Sequence, residues 1–200
     1  AVHMGRHDKV GFYSLETSPA KLTNRIIANR AIVDFGRINR REMTQEEWER
    51  VARLKGEIME SDVELIPASG WSVQDILSTA LQRRHKIIFI DYLQQLTGRG
   101  KDRFEQVTRI SLDLHAMAQT HGILVVALSQ LNRASTARPD AAPTLTDLRE
   151  SGQIEQDADA VLALYINEEE NAPPNERCLQ VLKNKEGRLG KVRLDFDGSL

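Results

Sequence analysis

Five short apolar runs, separated by amphipathic stretches and loops, constrain this chain more tightly than any other feature. They are Val10 to Leu15, Val63 to Ile66, Ile87 to Ile90, Ile123 to Leu128 and Val161 to Ile166. A strand with one wet face alternates apolar and polar residues. These runs do not alternate, which predicts strands buried on both faces of a parallel sheet. The segments between them supply the covering helices. From Thr44 to Glu60, the residues Trp48, Val51, Leu54, Ile58 and Met59 trace one helical face, and Thr44 with Glu47 forms a capping box that fixes its start. From Arg103 to His121, Val107, Ile110, Leu114 and Met117 repeat the pattern, with Gly122 as the stop. Further helices are predicted from Pro19 to Asp34 and from Val73 to Arg83. Strand–helix alternation of this kind makes an α/β layered domain. The tail differs: Arg177 to Lys183 and Lys191 to Asp197 flank a glycine-containing turn, Lys185 to Gly190, the pattern of an antiparallel β-hairpin.

Composition narrows the class. A chain of 200 residues, 40% apolar and 28% charged, is expected to form one soluble domain, and no second domain is visible over residues 1–200. No apolar run approaches the ~18 residues of a membrane span, and no signal-peptide pattern opens the chain, so no membrane is expected as a partner. The single cysteine, Cys178, excludes an internal disulfide framework and fits a reducing cytoplasm. Its setting, Arg177-Cys178-Leu179-Gln180-Val181-Leu182, reads as a small strand side chain rather than a reactive thiol. The histidines lack ligand spacing and no C-x-x-C occurs, which argues against zinc. A net charge of −2 gives no global sign of nucleic-acid binding, yet a few local cations can hold phosphates on a neutral surface. Two loops stand out: Thr97 to Lys101, basic and glycine-rich, and Arg133 to Thr144, rich in alanine and proline without periodicity.

The polar residues that end the runs say more than the runs themselves. The first ends in Ser14-Leu15-Glu16, the third in Asp91 and the fourth in Ser129-Gln130. Ligands of parallel α/β sheets bind at the carboxyl ends of the strands, so these groups are expected on one edge. A carboxylate after four apolar residues, Ile87-Ile88-Phe89-Ile90-Asp91, is the Walker B arrangement, which holds an acid beside nucleotide-bound Mg²⁺. The alternative for Asp91 alone is a helix cap. Glu16 is a candidate for orienting an attacking water, and Gln130 for sensing a γ-phosphate by hydrogen bonding.

Four segments carry a resemblance. Tyr13-Ser14-Leu15-Glu16, Ile90-Asp91-Tyr92-Leu93-Gln94, Val126-Ala127-Leu128-Ser129-Gln130-Leu131-Asn132-Arg133 and the thirteen residues Asp147 to Asp159 (DLRESGQIEQDAD) resemble, in order and spacing, the motifs of the DnaB-type replicative helicase family. The last is the most specific; a charged surface helix explains its charge but not its match. The resemblance implies a RecA-like motor: a parallel sheet flanked by helices, with a C-terminal antiparallel β-hairpin. It implies a homo-hexameric ring that moves along single-stranded DNA while hydrolysing ATP with Mg²⁺, meeting a primase and a helicase loader. By carry-over, Glu16 is the catalytic carboxylate, Asp91 the Walker B acid and metal-binding group, and Gln130 the γ-phosphate sensor. The loops after Asp91 and Gln130 would line the channel, bringing Arg99, Lys101, Arg103, Arg133 and Arg138 to DNA phosphates. Any one of these cations taken alone reads as a solvated surface charge.

The resemblance breaks in two places. No G-x-x-x-x-G-K-[ST] occurs, so these 200 residues alone are not expected to hydrolyse ATP. Ala1-Val2-His3-Met4 resembles the end of the helix that follows this loop in the family, which favours a truncated piece over an ATPase-silent paralogue. Truncation would also remove a strand that the family fold places between Ile123–Leu128 and Val161–Ile166. The second break is in Lys183-Asn184-Lys185-Glu186-Gly187-Arg188, where the family has Lys-x-Arg reaching a neighbouring subunit's γ-phosphate. Lysine lacks arginine's planar fork. Either Lys185 serves with weaker geometry, Arg188 reaches in instead, or the contact is impaired. Two other functions compete with the motor: a silent RecA-like interaction module, and a RecA-like recombinase or clock-type ATPase. The Asp147 to Asp159 motif argues against the last.

Overall fold

The computed structural model describes residues 1–131, 142–148, 152–166 and 172–200. Its contacts divide it into two compact units: Ala1–Thr97 with Met117–Leu128 and Gly198–Leu200, and Gly98–Ala116 with Ser129–Asp197.

The first unit contains the strands β1 (Val10–Ser14), β2 (Val63–Pro67), β3 (Ile87–Asp91) and β4 (Leu124–Ala127). They form one parallel sheet in the order β2-β1-β3-β4. The unbroken apolar pattern is realised on the inner strands, where Val10, Tyr13, Ile88 and Ile90 have no exposed surface. The outer strand β4 leaves Leu124 half exposed.

Helix α1 (Pro19–Ala31) starts at the Ser18 cap with proline in its first turn, where no N–H is needed. It stops short of the expected Asp34. Ile32 takes a left-handed φ of 53°, and Asp34 accepts the Arg37 N–H at 2.8 Å, capping a further short helix, α2 (Phe35–Arg40), that periodicity does not show. In α3 (Gln45–Glu60) the capping box is present, with Thr44 Oγ1 accepting from Glu47 N–H and Glu47 Oε2 accepting from Thr44 N–H. Leu54 joins Ala28, Ala31, Val33 and Ile38 in a core flanked by Val51 and Ile58. Trp48 stands half exposed, and the side chain of Met59 lies outside the described residues. Helix α4 (Val73–Arg83) opens on a Ser72–Asp75 capping box. Helix α5 (Arg103–His121) buries Val107, Ile110, Leu114 and Met117 as expected and ends before Gly122, whose φ of +62° suits a residue without Cβ.

Besides most of α5, the second unit holds a short helix α6 (Gly152–Asp157) and three strands, β5 (Ala160–Ile166), β6 (Glu176–Asn184) and β7 (Gly190–Asp195). They pair antiparallel in the order β5-β6-β7, so the expected hairpin is there. The fifth apolar run is not a strand of the parallel sheet among the described residues: it pairs antiparallel with β6, burying Val161 and Ala163 while Leu162, Leu164 and Ile166 stay exposed.

His85 is a buried titratable group of the first unit. The His85 side chain has no exposed surface, and its Nδ1 meets the Tyr13 hydroxyl at 3.0 Å. Gly11 makes room for that ring: a Cβ there would stand 2.5 Å from His85 Nδ1. Burial pushes the His85 pKa below its ordinary 6.5, against the pull of Glu64, whose carboxylate lies 3.6 Å from Nε2. A histidine kept neutral by the fold takes up its proton only in the unfolded chain, so stability falls as pH drops below about 6.5. His85→Asn keeps an acceptor for Tyr13 and removes this titration. Urea unfolding at about pH 7 and about pH 5 should show the wild type losing more stability on acidification than the variant.

Candidate functional site

The parallel register sets Ser14 opposite both Pro67 and Asp91, so three neighbouring strands end level. Asp91 is the last residue of β3, and Glu16 lies two residues beyond β1. The turn between β1 and α1 is held from three sides. Leu15 N–H donates to the Asp91 carbonyl at 3.0 Å, and Ala68 N–H donates to the Ser14 carbonyl at 2.8 Å. The buried Ser14 hydroxyl donates to the Thr17 carbonyl at 2.7 Å and accepts the Thr17 N–H at 3.2 Å. Glu16 is thus presented to solvent on a short pinned turn, while Asp91 is half-buried. The peptide joining Asp91 to Tyr92 is cis.

Electrostatics tie the two acids together. The Asp91 carboxyl is pushed above its ordinary range, by burial first and by the Glu16 charge second, with Arg25 of α1 opposing. Sequence reasoning brings Glu16 and Asp91 to one edge, and the structure does so. It misses Arg25, whose only sequence signal is its place midway along the helix that follows the Glu16 turn.

Among the described residues, no group of three or more His, Cys, Asp and Glu side chains gathers to hold a metal by itself. Mg²⁺ asks for less, since it keeps waters and phosphate oxygens and takes one or two protein carboxylates. Asp91 fits that role: an acid raised by burial and by a neighbouring carboxylate gains from a cation brought in with phosphate.

The remaining candidates fall in the second unit. Gln130 lies between Ser129 and Leu131, which forms an isolated bridge with Leu148. Arg99, Lys101 and Arg103 are exposed on the segment that leads into α5. That segment folds back on its helix: Lys101 N–H donates to Glu105 Oε2, Glu105 N–H donates to Asp102 Oδ1, and a Cβ on Gly100 would stand 2.6 Å from the Gln106 nitrogen. Arg133 and Arg138 lie outside the described residues, as do residues 149–151 of the Asp147 to Asp159 motif.

At the hairpin, two of the three cations already have partners. Lys183 Nζ donates to the carbonyls of Glu155 at 2.6 Å and Gln156 at 3.1 Å, near the C-terminal end of α6, where a cation is favoured. Lys185 Nζ pairs with Asp159 Oδ1 at 2.6 Å and holds that carboxyl below its ordinary range. Arg188 is exposed on the turn. The sequence pattern, which shows only three cations on a turn, carries no sign of these contacts.

The family model described as the DnaB-like helicase C terminal domain matches residues 1–200. The replicative DNA helicase DnaB of Rickettsia typhi is 37% identical over 165 residues, 80% of this chain and 33% of the relative. A probable plasmid replicative DNA helicase of Chlamydia muridarum is 36% identical over 98% of this chain and 44% of its own length. The chain therefore spans between a third and a half of these relatives. Among solved structures, an isolated ATPase domain superposes with a TM-score of 0.92 at 34% identity, covering 100% of this chain and 75% of that one. A DnaB-like replicative helicase, solved in a study of its interactions with primase, gives 0.89 at 33% identity over 98% of this chain and 53% of that chain. Both likenesses extend to the RecA-like sheet and the antiparallel tail, and the chain belongs to the DnaB-like helicase C-terminal domain family.

Proposed function

We propose that this chain is the motor domain of a hexameric, ATP-dependent DNA helicase that unwinds duplex DNA at replication forks by translocating on single-stranded DNA. The observation that carries the reading is the Glu16–Asp91 pair, set on one sheet edge by the β1–β3 register in a chain of the DnaB-like family. Glu16, exposed on its pinned turn, accepts a hydrogen bond from the attacking water and polarises it toward the γ-phosphorus. Asp91 would hold Mg²⁺, and Gln130 would donate to the γ-phosphate. When bound, the ion neutralises charge on the phosphate oxygens. Lys183 and Lys185, with Arg188 beside them, act across a subunit boundary on the neighbour's nucleotide. Arg99, Lys101, Arg103, Arg133 and Arg138 track the DNA backbone without reading sequence. The primase named with the solved relative is the partner class we assign, with a helicase loader, and the setting is the cytoplasm; among the described residues no helix is long and apolar enough to cross a membrane.

Glu16→Gln in the full-length protein keeps the shape and removes the charge. ATP binding and ring assembly should persist while turnover is abolished; turnover within about three-fold of wild type removes Glu16 from this role. The same assay separates a second reading, an ATPase-silent RecA-like module. Under that reading the wild type hydrolyses nothing, with or without DNA.

The DNA assignment has its own readout. Replacing Arg99, Lys101 and Arg133 with alanine should weaken single-strand binding for all sequences alike. The slope of log affinity against log salt should become shallower by about 0.7 for each phosphate that is no longer neutralised. Weakening confined to one DNA sequence contradicts backbone tracking.

A further inference from the structure

The hairpin tip is braced in a way that its sequence does not require. Lys185 is gripped twice by one residue: its N–H donates to the Asp159 carbonyl at 2.9 Å, and its ammonium pairs with Asp159 Oδ1 at 2.6 Å. Asp159 immediately precedes β5, next to the Ala160–Asn184 pair that opens the β5–β6 ladder. The segment before it is held as well. The Asp157 carboxylate accepts from the buried Ser111 hydroxyl of α5 at 2.7 Å and from Gln153 Nε2 at 2.7 Å. Lys183 directs two of its three donors to the carbonyls of Glu155 and Gln156. Lys185 thus hangs from a segment fixed to α5 on one side and to β6 on the other.

Such a contact contributes little to stability, because the Asp159 and Lys185 side chains are 78% and 43% exposed and water screens the pair. What it does supply is direction. A lysine ammonium is a point charge on a flexible stem with no built-in orientation. Asp159 takes one of its three donors and leaves two for an incoming anion. We infer that Asp159 is a positioning residue that orients the Lys185 ammonium toward a phosphoryl group of a neighbouring subunit. It compensates for the absence of arginine's rigid fork at this position. The inference rests on the reading of Lys185 as the cation that acts in trans.

The test is a double-mutant cycle in the full-length protein, with DNA-stimulated ATPase as readout. Lys185→Ala should lower kcat severely. Asp159→Asn should lower kcat about ten-fold, the scale of losing a partner that orients a reacting group, with KM for ATP and the urea midpoint unchanged. In the Lys185→Ala background, Asp159→Asn should cost nothing further, because there is no ammonium left to orient. If Lys185→Ala turns over at the wild-type rate, the trans reading itself fails and this inference falls with it. If Lys185→Ala is severe but Asp159→Asn is silent, or costs the same in both backgrounds, Asp159 has no positioning role and the trans reading stands.

Discussion

Ser14 lies opposite Asp91 in the β1–β3 register, and Leu15 N–H reaches across to the Asp91 carbonyl just beyond it. That pairing decides where both acids stand. A slip of one residue turns every side chain of a strand to the other face, so it would drive Val10 and Tyr13 each into the packing layer of the opposite face and carry Glu16 away from Asp91. Because the inner strands are buried on both faces, the register is strongly specified: Tyr13, Ile88 and Ile90 have no surface left to expose. The chemistry at the edge is positioned by the packing behind it.

The same packing creates a tension that gives the edge its chemical character. Asp91 sits where burial and Glu16 both disfavour its charge. A fold selected for stability alone would place a neutral group there. An acid kept in that position is suited to a partner brought in from outside, and phosphate-bound Mg²⁺ is a group of the right charge and hardness. Arg25 offsets part of the cost from within the unit. His85 is another titratable group beside the same sheet; burial lowers its pKa, with Gly11 making the room and Tyr13 the hydrogen bond.

The sequence shows most of what local pattern controls. Thr44 and Glu47 cap α3 as their spacing implies, Val107, Ile110, Leu114 and Met117 are the buried face of α5, and Glu16 and Asp91 meet at one edge. It fails where a feature depends on contacts between distant residues. The early stop of α1 comes from Ile32 in a left-handed conformation and from the Asp34 cap, which periodicity cannot register. The run Val161 to Ile166 is apolar on both sides, so its pattern does not separate an inner parallel strand from an antiparallel one; its ladder with β6 decides. The cation cluster from Lys183 to Arg188 reads as three free charges until α6 and Asp159 are placed beside it.

In the proposed motor the acids of one subunit are served by the hairpin cations of another. Mixing two variants of the full-length protein separates action between subunits from action within one. Full-length Glu16→Gln has intact cations and a dead acid; full-length Lys185→Ala has an intact acid and lacks its cation. Each is expected to be inactive alone. Mixed in equal amounts under conditions where rings exchange subunits, some interfaces join a good acid to a good cation, and ATPase activity should reappear at a fraction of the wild-type rate. A mixture that exchanges subunits and remains as inactive as its components would mean that Lys185 acts within its own subunit, contrary to this account.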